Sequence, residues 1–212
     1  MRRDRKKAAA EIIKLLKEEY PEVKCALNYT QPHELLIATR LSAQCTDKRV
    51  NVVTPALFGR FPSVDAFADA DVSEVEELVR TCGLFKTKAQ DIVLMCQMIR
   101  DIYGGKVPDT IEELTKLPGV GRKTANLIVG DLYGQPAYVC DTHVIRLTNR
   151  LGLSDTKDAS KVEKQLREVI PPAESLNFCH RLVHHGRGVC DARSPKCEAC
   201  VLRNICRSKD KR

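Results

Sequence analysis

The chain lacks any apolar run approaching the length of a membrane span, and it has no low-complexity linker and no obvious repeat. Sustained period-two alternation of apolar and polar residues is missing too, which excludes a core of half-buried strands. Its N-terminus is charged and holds no apolar h-region, so no secretory leader is expected, and the thiols are expected to stay reduced in a cytoplasmic setting. No membrane partner is expected either.

The apolar residues that are present repeat at helical spacing. They include Ile12, Ile13, Leu15 and Leu16; Val50, Val53, Ala56 and Leu57; Val75, Leu78 and Val79; and Ile92, Val93, Met95, Cys96 and Ile99. Start signals recur at Ser73 with Glu76 and at Thr87 with Gln90. The pattern predicts an all-α protein. The 212 residues can hold one large or two small domains, and a 43% hydrophobic content suffices for real cores. The formal net charge of +7 favours a polyanionic partner. Part of that charge lies in Arg2 to Lys7 and Arg207 to Arg212, expected to be frayed, solubilising ends.

The most informative segment is Leu117-Pro118-Gly119-Val120-Gly121-Arg122-Lys123. Gly119 and Gly121 can take positive φ without steric cost. The first amides of a helix beginning at Arg122 would have no intrahelical acceptor and would point outward, which suits a phosphate. Thr110 with Glu113 reads as a capping box for the preceding stretch, Thr110 to Lys116, and Arg122 to Leu132 has helical spacing. This is a helix-hairpin-helix pattern, which grips nucleic-acid backbone without reading sequence; a plain helix-helix turn is the other reading. Lys123 lies in the first turn, where the macrodipole disfavours an ammonium. It serves either to contact the bound phosphate or as an amine tuned to act as a nucleophile.

Asp141 follows an extended stretch, Tyr133 to Cys140, that can reach about 26 Å, longer than the roughly 16 Å of the preceding helix. The chain can therefore return to where Lys123 sits. Asp141 also opens the run Val144, Ile145, Leu147 and Leu151, so it reads as an N-cap, and the two roles are compatible.

Cys190, Cys197, Cys200 and Cys206 are spaced C-x6-C-x2-C-x5-C. Spacing alone leaves an iron-sulfur cluster and zinc open, although zinc sites usually pair two short C-x2-C knuckles. Arg193 and Lys196, in the loop between the first two cysteines, can meet phosphates or be solvated. The other six, Cys25, Cys45, Cys82, Cys96, Cys140 and Cys179, show no close pairing pattern and read as buried free thiols. His180, His184 and His185 are not read as ligands while four cysteines suffice. Helical Arg122 and Arg146 can contact DNA or be solvated.

The run LPGVGRKTAN, Leu117 to Asn126, together with Asp141-Thr142-His143, resembles the endonuclease III family of base-excision DNA glycosylases, and the cysteine spacing matches that family's four-iron four-sulfur (4Fe–4S) loop. The resemblance implies a helix-hairpin-helix DNA glycosylase fold: a six-helix domain over 25–135, and a discontinuous helical domain of 1–24 with 136–212 carrying the 4Fe–4S cluster. It implies that Lys123 attacks the anomeric carbon of a flipped nucleotide with Asp141 assisting, and that a Schiff base and β-elimination follow. Oxidised pyrimidines are the implied substrates, and duplex DNA with a damaged base or abasic site, lying across the cleft between the domains, is the implied partner of a monomer, nucleoid-associated if the source is prokaryotic. The cluster is expected to have a structural and DNA-positioning role. By the same match Gln44 is the residue inserted into the duplex and Leu84 the wedge on the orphan-base side, although Gly83 and its apolar followers also read as a Schellman cap. Leu117, Gly119, Val120, Gly121 and Arg122 are implied as the backbone grip, and His143 as a residue that positions Asp141 or meets phosphate. Cys45 and Cys140 stand where relatives often carry other small or apolar residues. Two alternatives remain beside this reading: a monofunctional glycosylase using Asp141 to activate water, and a non-catalytic helix-hairpin-helix DNA-binding module.

Overall fold

The computed structural model describes residues 2–209 and 211. Every regular element among them is helical. In chain order these are α1 (Arg2–Glu19), α2 (Pro32–Ser42), α3 (Asp47–Arg60), α4 (Val64–Ala68), α5 (Val72–Val79), α6 (Phe85–Tyr103), α7 (Ile111–Leu114), α8 (Arg122–Tyr133), α9 (Thr142–Arg150), α10 (Ala159–Val169) and α11 (Ser175–Gly188), with short 3-10 turns at Pro172–Glu174 and Cys197–Ala199. The chain forms two compact units, Cys25–Tyr133 and a discontinuous one made of Met1–Lys24 and Gly134–Arg212.

In the unit Cys25–Tyr133, α6 packs on α2, α4 and α5, while α2 also meets α3 and α8. The apolar stripe of α6, Ala89, Ile92, Val93, Met95, Cys96 and Ile99, is buried at the spacing its sequence shows, against Leu35, Leu36, Phe67 and other core residues. A charged side chain lies deep in this interior. Lys88 is fully buried and donates from Nζ to the carbonyl of Leu41 at 2.8 Å, fastening the start of α6 to the end of α2. Burial lowers its pKa, as removal of an ammonium from water requires.

In the other unit α11 packs on α1 and α9. Buried Arg181 on α11 donates Nε to the carbonyl of Tyr20 at 2.9 Å and Nη2 to that of Pro21 at 3.2 Å, capping the chain as it leaves α1.

Several local expectations change. Arg2 to Lys7 belong to α1, and Arg5 pairs with Asp155 at 2.9 Å, so this end is not frayed. The other end is anchored where Arg207 donates its N–H to the carbonyl of Arg150 at 3.0 Å; Asp210 and Arg212 lie outside the described residues. Ser73 does not start α5: Asp71 caps it, accepting the Ser73 N–H and hydroxyl, each at 2.8 Å. Thr87 lies inside α6, which starts behind Leu84 with no side-chain cap. Thr110 caps α7 through the Glu113 N–H at 3.2 Å, but the reciprocal half of the capping box is missing, because the Glu113 carboxylate instead takes the Tyr103 hydroxyl at 2.8 Å and Lys116 at 2.6 Å. Cys25 and Cys45 are half-buried rather than buried.

Replacing Arg181 by Met keeps the bulk and removes two charge-assisted hydrogen bonds. The expected loss is about 2 kcal/mol, and a calorimetric Tm lower by roughly 4–8 °C checks it.

Candidate functional site

The glycine hairpin joins α7 to α8. Gly119 sits at φ +72°, and a Cβ there would collide with Arg40 Nε and would come within 2.7 Å of Arg40 Cδ and Asp91 Oδ2. Those two side chains form a largely buried ion pair, Nε and Nη2 of Arg40 reaching Asp91 Oδ2 at 2.8 and 2.5 Å. The hairpin therefore rests on a charged strut between α2 and α6, and only glycine fits on it. Gly121 is different: its φ is not positive and a Cβ there would meet nothing. Its carbonyl accepts the Ala125 N–H at 2.9 Å, which makes it the residue from which α8 starts. The Val120 N–H is taken by the Leu117 carbonyl at 3.1 Å, and both side chains are buried, so Leu117 and Val120 shape the hairpin from inside.

Arg122 and Lys123 are exposed in the first turn of α8. Lys123 lies near the half-buried Cys25 thiol, whose pKa is pushed up to about 11, mainly by burial, with the Lys123 charge a small opposing influence. Asp141 belongs to the other unit, at the N-cap of α9, where Oδ1 accepts the Val144 N–H at 2.8 Å. That bond fixes the carboxylate's orientation while its second oxygen remains outside it.

His143, in the first turn of α9, is half-buried. Desolvation lowers its pKa, the Asp141 charge opposes that shift, and the cations of Arg146 and Arg187 add to it. A Cβ on Gly186 would lie 2.8 Å from His143 Nδ1, so α11 meets α9 at close range here. Arg146 is not solvated: Nη2 lies 3.1 Å from His143 Nδ1 and donates to the carbonyls of Gly186 and Cys190 at 3.1 and 3.0 Å.

The two turns singled out for duplex insertion are the most strained in the described chain. Gln44 (φ +53°) and Leu84 (φ +57°) are the only non-glycine residues with positive φ among the described residues. Side chains pay for that conformation, and it concentrates at working sites. Both are exposed, Leu84 to 58%. Gly83 does not take positive φ, so the Schellman reading fails: the left-handed step falls on Leu84, whose side chain makes no capping contact. A Cβ on Gly83 would lie 3.5 Å from the Gln44 carbonyl oxygen, which places the two turns side by side.

Cys190, Cys197, Cys200 and Cys206 line one cavity of about 30 Å³ open to solvent, together with Arg150, Lys196 and Arg203. Among the described residues no three His, Cys, Asp or Glu side chains converge to hold one metal ion. Four thiols lining one cavity are the donor set of a four-iron cluster, whose thiolates attach to separate irons. The cations lining the cavity offset the charge of four thiolates.

Arg150, which the sequence reading missed, ties the loop down. It donates to Cys190 Sγ at 3.2 Å, to the Asp191 carbonyl at 2.8 Å and to the Ala192 carbonyl at 3.0 Å. His185 Nε2 lies 3.2 Å from Cys200 Sγ, and its Nδ1 lies 3.1 Å from the Tyr20 hydroxyl. Burial pushes its pKa down to about 4, so it is neutral. A neutral ring that accepts the Tyr20 hydroxyl proton at Nδ1 would carry its own proton on Nε2, toward sulfur. Arg193 and Lys196 are exposed; the Arg193 N–H is held by Asp191 Oδ1 at 2.8 Å, and Lys196 Nζ reaches the Gly188 carbonyl at 3.2 Å.

Comparison with known proteins bears on these features. Residues 37–172 match the family model of the HhH-GPD superfamily base excision DNA repair protein, and residues 190–206 match the iron-sulfur binding domain of endonuclease III. The chain is 47% identical over 205 residues to endonuclease III of Synechocystis sp., covering 96% of this chain and 94% of that one. It is 37% identical over 201 residues to endonuclease III of Escherichia coli, covering 95% of each. The structure of an endonuclease III trapped as a covalent intermediate with DNA matches with a TM-score of 0.91 at 41% identity, over 95% of each chain.

A Gly119→Ala variant must adopt a left-handed conformation costing about 1–2 kcal/mol and must displace the Arg40–Asp91 pair. Gly121→Ala meets no such obstacle. The expected outcome is a large loss of duplex affinity in the first variant and a small one in the second, read by fluorescence anisotropy with circular dichroism to confirm that both are folded.

Proposed function

The chain belongs to the endonuclease III family, a base-excision repair DNA glycosylase and AP lyase with an iron-sulfur cluster, and we propose that Lys123 and Asp141 carry its chemistry. The observation that carries this reading is an exposed lysine in the first turn of α8, directly behind a hairpin whose left-handed glycine is wedged on a buried ion pair. Backbone amides hold phosphate at such a turn without reading bases, which suits an enzyme that acts on damage at any sequence.

The target nucleotide leaves the stack before its anomeric carbon can be attacked. Gln44 fills the gap and Leu84 wedges against the orphan base, and damage that weakens stacking lowers the cost of the exchange. The Lys123 amine, having given its proton to Asp141, attacks C1′; the C1′–N bond to the base breaks, and the base departs with a proton. Ring opening gives a protonated imine between Lys123 and C1′, which acidifies the proton on C2′. Loss of that proton expels the 3′ phosphate oxygen by β-elimination and cuts the strand. The proton transfers by Asp141 are of the kind worth roughly a hundred- to ten-thousand-fold. Oxidised and ring-saturated pyrimidines are the substrate class, a reading supported by family membership. Cys190, Cys197, Cys200 and Cys206 would hold the 4Fe–4S cluster, which would staple the loop carrying Arg193 and Lys196, so that both side chains are presented to phosphate.

Borohydride reduction during turnover of a duplex with one oxidised pyrimidine should trap a covalent protein–DNA adduct, and Lys123→Ala should trap none. If the unaltered chain releases the base with no adduct, water is the nucleophile and the lysine reading fails. Asp141→Asn keeps the cap to Val144 and loses the charge, so Tm should hold while the excision rate falls about a hundredfold or more. Asp141→Ala should lose about a further 1 kcal/mol of stability with the cap. Leu84→Ala should slow excision and leave affinity for undamaged duplex unchanged, since the wedge acts only once a base has left the stack.

A further inference from the structure

Each of the two strained turns carries a cysteine. Cys45 follows Gln44 directly, in a turn closed by its own N–H to the Ser42 carbonyl at 3.1 Å; Cys82 precedes Gly83 and Leu84, and its N–H closes on the Val79 carbonyl at 2.8 Å. The two turns meet where the Gly83 backbone passes the Gln44 carbonyl, and there the thiols of Cys45 and Cys82 are close enough to act on one another electrostatically. Cys82 is fully buried, whereas Cys45 is half-buried, so Cys45 is the member of the pair that meets solvent. The buried Lys88 lies close enough to act electrostatically on both sulfurs, and its Nζ is pinned by Leu41 just before the first turn.

From this juxtaposition we infer that Cys45 and Cys82 form a covalent modification site, closing to a disulfide by exchange with a small-molecule disulfide and thereby cross-linking the Gln44 and Leu84 turns. The Cys45 thiolate attacks one sulfur of the small disulfide and expels its first thiol, forming a mixed disulfide. Cys82 gives up its proton and attacks the Cys45 sulfur, expelling the second thiol. Two protein thiols are oxidised to one disulfide, one small disulfide is reduced to two thiols, and the protons lost by the protein are those gained by the thiols. The Lys88 charge favours the thiolates on which both steps depend. Burial and the neighbouring Cys45 hold the Cys82 thiol at about 11, so the second step is slow at neutral pH and quickens as pH rises. The same high value makes Cys82 a poor leaving group, which protects the disulfide once formed.

Cys140 and Cys179 also sense one another, but they are 7% and 1% exposed. No sulfur of that pair is open to an oxidant, so they are the internal control.

The effect on repair rests on the proposed insertion roles of Gln44 and Leu84. A cross-link between the turns opposes their separate movement into the duplex, so it acts on base extrusion and leaves the hairpin's grip on phosphate untouched. The test uses the cluster-loaded protein, incubated with oxidised glutathione, alkylated and mapped by non-reducing mass spectrometry, with visible absorption reporting that the cluster cysteines are not consumed. A Cys45–Cys82 cross-linked peptide is expected, with Cys140 and Cys179 alkylated only after denaturation. Single-turnover excision should fall about tenfold, affinity for undamaged duplex should hold, and dithiothreitol should restore the rate. In Cys45→Ala the ratio of rates with and without oxidant should be one. A glutathione adduct that stops at Cys45 with Cys82 still free, or a cross-linked protein that excises as fast as the reduced one, overturns the proposal. Reduced protein that binds duplex but never excises overturns the functional reading instead, and the peptide map still decides this one.

Discussion

The junction between the end of α2 and the start of α6 is the constraint on which the unit Cys25–Tyr133 depends. Two bonds make it: the Arg40–Asp91 ion pair and the reach of Lys88 to the Leu41 carbonyl. A buried ion pair is weak evidence for stability, because desolvation offsets most of its attraction. What it supplies here is shape. Gly119 rests on the pair, and a methyl group in its place would enter the space of both partners. The same few residues carry the Gln44 turn on one side and precede the Leu84 turn on the other, so the surface elements of this unit share one buried polar support.

In the second unit the polar framework is built around α9 and α11. Asp141 caps α9, and Arg146 and Arg150 on its later turns bond the carbonyls of Cys190, Asp191 and Ala192. Arg150 also receives, through its own carbonyl, the N–H of Arg207 at 3.0 Å. Both ends of the cysteine loop are therefore gathered by one helix even before iron–sulfur bonds are considered. The helix that presents the aspartate and the helix that restrains the loop are the same helix, and any strain transmitted from the loop reaches the cap through less than three turns of backbone.

Much of this was legible in the sequence, and the parts that were not share a cause. Helical period located α6 and α8, because an apolar stripe is a property of consecutive residues. The N-cap role of Asp141 was legible for the same reason. The start of α6 was not: Thr87 offered a local capping signal, but the chain enters the helix through Leu84 in a left-handed conformation, which no propensity favours. Arg150 and His185 were missed as supports of the cysteine loop, because their partners lie 40 and 15 residues away and neither residue type signals such a partner. Arg146 read as a helical arginine left to DNA or to solvent, and within the chain it bonds a carbonyl of α11. Gly119 and Gly121 looked equivalent in sequence. Only the Arg40–Asp91 pair, remote along the chain, makes one of them irreplaceable.

The residues that break local rules are also the ones that carry the functional reading. A leucine and a glutamine occupy the left-handed region, a lysine stands at the positive end of a helix, and a hydrophobic side chain is left in water at Leu84. Each is disfavoured by the chain's own local physics, by an amount of order 1 kcal/mol. Such violations persist where the surrounding structure over-determines them or where a partner relieves them. For Gln44 and Leu84 the over-determination is visible, since Lys88, Cys45 and Cys82 pack the two turns together from beneath. For Lys123 and the exposed leucine the proposed relief is the duplex itself, whose sugar takes the amine and whose orphan base packs against the leucine.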